Sequence, residues 1–172
     1  TLELLKGLVS IWLPDLKTLN SNLSKKLFGA DDYPEVATKA IKWMIENNPL
    51  VIANVEKKDS SLNKMVQKEK ILSGVIIRHL FLPGRFEDTA ITLQWLKENA
   101  DSKAIVSLMS QYTPVPFVES QKDFEKRQVS LNEFENRLVS EEEDNDLRDL
   151  IDAYGFEFLF YGYYRTKGCG KG

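Results

Sequence analysis

An α/β fold built on a parallel sheet is what this sequence predicts, and three observations predict it. Short apolar runs recur along the chain, segments of helical period separate them, and each run ends on hydrogen-bonding residues. The most informative run is Ser73-Gly74-Val75-Ile76-Ile77-Arg78-His79-Leu80-Phe81-Leu82-Pro83-Gly84. β-Branched and large apolar residues, opened by a glycine and closed by Pro-Gly, have the composition of a strand buried on both faces, as in parallel sheets and barrels. Such a strand should carry no charge. Arg78 and His79 stand near its C-terminal end, where parallel α/β architectures bind ligands, and they mark a candidate site. The competing account pairs Arg78 with a buried carboxylate and makes His79 a satisfied core histidine.

The remaining elements follow in order. Leu8-Val9-Ser10-Ile11-Trp12-Leu13-Pro14 is a first strand that delivers Asp15-Leu16-Lys17 at its C-terminal end. After a connection through Gly29, a helix starts with Asp32 as N-cap, Pro34 in the first turn and Glu35 placed to close a capping box. Val36, Ala37, Ala40, Ile41, Met44 and Ile45 repeat at helical spacing, Met44 and Trp43 read as packing, and Asn47-Asn48-Pro49 stops the helix. From Leu50 to Lys70 the polar, lysine-rich sequence reads as a surface excursion, its lysines solvated because acidic residues interleave with them.

Beyond the central strand, Arg85-Phe86-Glu87-Asp88-Thr89 opens a second helix with early acids suited to its dipole. Ile91, Trp95 and Leu96 are its apolar side, and Asn99-Ala100-Asp101 ends it. Ala104 to Met109 is a third strand running into Ser110-Gln111-Tyr112-Thr113-Pro114, and Phe117 to Ser130 reads as a polar loop. A last helix, capped at Ser140 or Asp144, carries Leu147, Leu150, Ile151 and Tyr154 on one side and ends with Gly155 at C′; the acids Glu141 to Asp144 suit its start. Phe156 to Tyr164 is a short aromatic strand and Arg165 to Gly172 a loose tail. The order β-α-β-α-β-α-β gives too few units to close a barrel, so residues 1–172 form a single domain that is a half-barrel or an open sheet.

Composition excludes several function classes. The net charge of −3 gives no basic footprint and argues against nucleic acid as a partner. Cys169, in a Gly-Cys-Gly tail, is the one cysteine, so the chain alone builds neither a disulfide framework nor a cysteine-ligated cluster, and a reducing, cytoplasmic setting is expected. With one histidine as well, a zinc site is not expected. No apolar run reaches bilayer length, and the N-terminus lacks a signal-peptide layout. The absence of an initiator methionine is expected of a processed product or a fragment. No glycine-rich phosphate loop stands at a strand end, which disfavours a phosphate-binding barrel enzyme.

Asp15-Leu16-Lys17, the segment Gly74 to Gly84, and Val106-Ser107-Leu108-Met109-Ser110-Gln111-Tyr112-Thr113-Pro114, taken in this order and spacing, resemble the C-terminal half of radical S-adenosylmethionine proteins, most closely the branch of pyruvate formate-lyase activating enzymes. The resemblance covers roughly Leu8 to Gly155. It implies a partial TIM-like barrel of about six strands and helices, in which an N-terminal three-cysteine motif holds a [4Fe-4S] cluster that cleaves S-adenosylmethionine to a 5′-deoxyadenosyl radical. It further implies a glycyl-radical enzyme or another protein as substrate, and flavodoxin or ferredoxin as electron donor. The cysteine motif and first strands are absent from this sequence, so the fragment alone is expected to be inactive and to leave the cluster unassembled. By the resemblance, Lys17 reaches polar groups of S-adenosylmethionine, and Asp15 holds Lys17 in place or joins a monovalent-cation site. Arg78 approaches the methionine carboxylate, with His79 turned to the opposite face by strand alternation. Tyr112, or Gln111 in its stead, falls near a ribose-contacting position. A reading of another class is a non-catalytic interaction module of degenerate barrel form, whose strand-end charges pair with one another.

Overall fold

The computed structural model describes residues 1–59, 64–114 and 132–162. Within them the elements are α1 (Leu2–Leu5), β1 (Ile11–Trp12), α2 (Ser21–Phe28), α3 (Tyr33–Asn47), β2 (Val51–Asp59), β3 (Lys64–Leu80), α4 (Phe86–Ala100), β4 (Ile105–Met109), α5 (Glu141–Tyr154) and β5 (Leu159–Gly162). β1, β3, β4 and β5 lie side by side in that order. All three pairings are parallel, with Trp12 opposite Val75, Arg78 opposite Ser107, and Ser107 opposite Phe160. The protein is therefore a mixed α/β fold with a parallel central sheet of βα units. No described helix is long and apolar enough to cross a membrane.

Alternation along β3 decides which side chains meet the helices. Val75, Ile77, His79 and Phe81 are buried, whereas Ile76, Arg78, Leu80 and Leu82 are only half-buried. Val75, Ile77 and Phe81 share one hydrophobic core with Trp12, Val106 and Leu108 from the sheet, Ile41 and Met44 from α3, Leu93, Leu96 and Ala100 from α4, and Leu147 from α5. Burying a large aliphatic side chain contributes about 1.5–3 kcal/mol, so this single layer supplies most of the driving force for folding. Among the described residues the opposite face has no comparable cover, buried Ile105 apart. Ser107 and Met109 are half-buried there, Leu13 is exposed, and Phe160 is 61% exposed.

Several expectations need correction. The excursion from Leu50 to Lys70 is an antiparallel ribbon, β2 against the first part of β3, with Ile52 opposite Ile71 and Asp59 opposite Lys64. The central strand thus begins at Lys64 rather than at Ser73. Both ribbon faces carry charged residues, so no period-two apolar signal betrayed it. Gly74 marks the transition. Its φ of +140° is open to glycine alone, and a Cβ there would stand 2.9 Å from Leu50 Cδ1 and 3.2 Å from Leu50 Cα. Its N–H donates to Ser10 C=O at 3.0 Å, the first bond of β3 to the first strand's side of the sheet.

The first strand is shorter than the apolar run, Ile11–Trp12, although a single parallel bridge between Asp15 and Arg78 resumes the pairing beyond Pro14. α2 was not anticipated. Asn20 caps it, its Oδ1 accepting from Leu23 N–H at 3.0 Å, and Gly29 closes it in the left-handed conformation. Asp32 does occupy the N-cap position of α3 but makes no side-chain cap, because its backbone is already helical (φ −85°, ψ −4°) and cannot present the carboxylate to the first turn. Glu35 closes no capping box and instead accepts from Lys39 Nζ at 2.6 Å. Of the two candidate caps for the last helix, Ser140 is the one used, in a full capping box with Glu143. The expected loop from Phe117 to Ser130 lies outside the described residues, as do Tyr163, Tyr164 and the Arg165 to Gly172 tail with Cys169.

Candidate functional site

A cleft of about 220 Å³ opens at the C-terminal end of β3, on the face away from the core. Asp15, Lys17 and Arg78 supply its polar wall, and Leu27, Phe28, Leu80, Leu82 and Met109 its apolar one. The backbone brings the charged residues together first. Leu16 N–H donates to Arg78 C=O, and Arg78 N–H donates to Pro14 C=O, each at 2.9 Å, which sets Asp15 beside Arg78 on the same face. Asp15 Oδ1 then stands 2.8 Å from Arg78 Nε, close enough for an ion pair though not aligned as a hydrogen bond. Asp15 Oδ2 accepts from Lys17 Nζ at 3.2 Å. One carboxylate thus sits between two cations, and the cleft keeps net positive charge.

Tyr33 fixes the segment that carries two of these groups. Its hydroxyl donates to Asp15 C=O at 2.8 Å and accepts from Lys17 N–H at 2.9 Å, so a single side chain from α3 clamps the turn. Burial, aided by the Asp15 carboxylate, pushes this hydroxyl above the ordinary tyrosine value against the opposing bond from Lys17 N–H. The ring of Phe28 packs edge-on against Tyr33 at 4.8 Å and continues into the apolar wall.

His79 is turned the other way. It is almost wholly buried, its Nδ1 lies 2.7 Å from Leu16 C=O and its Nε2 2.9 Å from Thr89 Oγ1. A carbonyl can only accept, so Nδ1 carries the proton and Nε2 accepts from the threonine hydroxyl. Burial holds the ring below the usual histidine value, and the neutral form is the one present. His79 therefore ties β3 to the β1 loop and to α4 and lines no part of the cleft. Beside it, buried Thr18 donates to Asp88 Oδ1 at 2.7 Å and accepts from Asn20 N–H, so that an early acid of α4 anchors the same loop.

Tyr112 and Gln111 are also apart from the cleft. The Tyr112 hydroxyl donates to Asn136 Oδ1 at 2.7 Å and its ring meets Phe134, while Gln111 is exposed beyond β4. The structure thus gathers Asp15, Lys17 and Arg78 and leaves His79, Gln111 and Tyr112 elsewhere. Leu27, Phe28 and Tyr33 were missed as site residues. Asn20 and Gly29, a cap pair flanking Leu23 and Leu27 at helical spacing, were the available signal for the first two; nothing local signals the reach of the Tyr33 hydroxyl.

A second polar cluster stands behind the cleft. Gly84 N–H, Ser140 N–H and Arg137 all donate to Glu143. Burial pushes the Glu143 carboxyl up, but these bonds outweigh it and bring the group down to about 2. Arg85 donates to Glu133 C=O and pairs with its carboxylate, which Lys26 also meets at 2.8 Å. The loop after β3 is in this way strapped to residues 133–143 and to α2. Buried Asp144 accepts from Ser110, from Tyr161 and from Arg148 Nε at 2.9 Å, joining the ends of β4 and β5 to α5.

The fold and site define a parallel βα sheet with a charged cleft at its strand ends. No family model matches the chain, and no solved structure does. It is similar to an uncharacterized protein of Methanocaldococcus jannaschii, 27% identical over 160 residues that take in 92% of this chain and 36% of that protein. The chain accordingly spans about a third of the length of the curated relative it matches.

Proposed function

We propose that this chain is the C-terminal portion of a radical S-adenosylmethionine protein akin to the pyruvate formate-lyase activating enzymes, part of a TIM-like partial barrel and inactive by itself. The observation that carries this reading is a sheet face that the described residues leave largely open, α2 reaching it through Leu27 and Phe28. Strand order runs β1, β3, β4, β5 with no reversal, as a barrel requires, and the face away from α3, α4 and α5 holds Asp15, Lys17 and Arg78 beside half-buried Leu80 and Met109. In this reading that face is the interior of the barrel, and further strands close over it.

The residues present suit one of the two implied cofactors. The terminal guanidinium nitrogens of Arg78 and the ammonium of Lys17 would hold the carboxylate of the methionine arm of S-adenosylmethionine, with Asp15 orienting both cations. Leu80, Leu82 and Met109 would flank the arm. When bound beside a reduced cluster, S-adenosylmethionine supplies a 5′-deoxyadenosyl radical that removes a hydrogen atom from a substrate such as a glycyl-radical enzyme, the electron coming from a flavodoxin or ferredoxin. The cluster itself does not fit this chain. It needs three thiolates, the sequence has Cys169 alone, and among the described residues no group of three His, Cys, Asp or Glu is placed to hold a metal ion. Its ligands belong to another segment in this reading.

A second reading, a non-catalytic interaction module, draws on the ion pairs of Asp15 with Lys17 and Arg78, which already satisfy the strand-end charges. Anaerobic reconstitution of the native polypeptide with iron and sulfide, followed by an assay for 5′-deoxyadenosine, separates the two. Release by the native polypeptide and silence from the 172-residue chain is the expected result; silence from both, without cluster absorbance, overturns the radical reading.

A further inference from the structure

The register of the β2–β3 ribbon sorts its side chains in a way the linear sequence conceals. Lys70 stands opposite Ala53 and Lys68 opposite Val55. Alternate residues of a strand share a face, so Lys64, Val66, Lys68 and Lys70 lie on one face together with Ala53 and Val55, and the register continues it through Lys57 to Asp59, which stands opposite Lys64 at the far end of the ribbon. Asn54, Glu56, Gln67 and Glu69 lie on the other. At the base of the ribbon that second face borders a cavity of about 570 Å³, where Ile52, Glu69 and Ile71 meet Ile105 and Phe158 to Phe160, while Asn54, Glu56, Gln67 and Glu69 are exposed. Lys64, Lys68 and Lys70 are exposed, and Ala53, Val55 and Val66 are half-buried between them. Among the described residues none of the three lysines enters an ion pair.

We propose that this face docks an acidic segment of a partner protein, an extended peptide in which carboxylates and apolar residues take turns at every second position, so that both kinds point to the same side. Successive same-face residues are about 7 Å apart on both partners, so carboxylates can meet lysines while apolar side chains settle on Val55 and Val66. Charge complementarity and the apolar floor together select this occupant. A phosphodiester backbone offers nothing to the valines, and a chain of net charge −3 repels a long polyanion beyond the patch. A short acidic peptide feels mainly the local field, since screening acts over about 8 Å at physiological salt. The face has no aromatic or long aliphatic residue to enter a lipid layer. The proposal is independent of the cofactor reading.

The test is fluorescence anisotropy of a labelled peptide of Glu-Ser-Val-Ser repeats, whose acids and valines share one side when extended, titrated with the 172-residue chain. Saturable binding is expected, weakened about tenfold by Lys68→Glu/Lys70→Glu and less than about twofold by Lys6→Glu/Lys103→Glu, which changes net charge equally away from the ribbon. Circular-dichroism melting should be the same for both pairs. Absence of binding by the wild-type chain, or equal weakening by both pairs, overturns the proposal. Tighter binding of polyuridylate or of phosphatidylserine vesicles than of the peptide also overturns it.

Discussion

Arg78 and His79 are neighbours on one strand, both basic, and they do opposite work. His79 faces the helices, is buried, and spends both ring nitrogens on Leu16 and Thr89. Arg78 faces the cleft with its side chain 42% exposed, and only Asp15 pairs with it among the described residues. A one-residue step along a strand changes the face, and with it the energetics: a neutral, fully bonded group holds the architecture together, while a charged, partly solvated one remains available to a ligand.

The largest effect that would sharpen this contrast is expected from His79→Ala. It opens a cavity in the core and strands the Leu16 carbonyl and Thr89 hydroxyl, at a cost of about 2–4 kcal/mol in urea denaturation. A loss below about 1 kcal/mol would place the histidine among ordinary surface residues and break the contrast. Acid should act through the same residue. Its folded value is depressed, so the unfolded chain takes up the proton first. Stability that is complete above about pH 6.5 should therefore fall as the pH is lowered through the window beneath it, and a His79→Gln variant should lack that limb of the profile. Glu143 contributes a separate limb. Its carboxylate bonds are complete above about pH 4.3 and are lost as the pH falls toward about 2, with the exposed part of the group softened by solvent.

Tyr33→Phe is expected to cost about 1 kcal/mol, since it removes one hydroxyl that serves both Asp15 C=O and Lys17 N–H. Equilibrium melting checks the cost, and faster amide exchange at Lys17 would show that the clamp has loosened. Arg78→Met should be the mildest for stability, within about 0.5 kcal/mol, because the ion pair it breaks is partly solvated. Under the cofactor reading the same substitution weakens S-adenosylmethionine binding by tenfold or more in calorimetry of the cluster-loaded native polypeptide. Unchanged affinity would remove Arg78 from that role.

The sequence carried much of this contrast and little of its surroundings. Alternation in Val75-Ile76-Ile77-Arg78-His79 was enough to separate the two basic residues, and Ser140, Gly155 and Pro34 marked helix ends by local chemistry that packing did not override. The ribbon escaped notice because charged residues on both faces erase the pattern that defines a half-buried strand. α2 escaped because its eight residues, about two turns, give few repeats to count. Gln111 and Tyr112 follow a strand end as Lys17 does, yet where such residues point is settled by contacts distant in sequence, such as Asn136 for Tyr112, that no local pattern encodes.

β3 also takes part in two ladders of very different reach. Its first half pairs with β2, the strand next to it in the sequence, while its second half waits for Trp12 and for β4, each far along the chain. Hairpins close in microseconds, whereas distant parallel pairings must first bear the entropy of large loops. The ribbon should therefore be the first ordered piece of the protein, offering Val75 to Phe81 as a strand already extended for the rest of the sheet. Pulse-labelled hydrogen exchange during refolding would then find the amides of Val55 and Lys68 protected before those of Arg78 and Leu108.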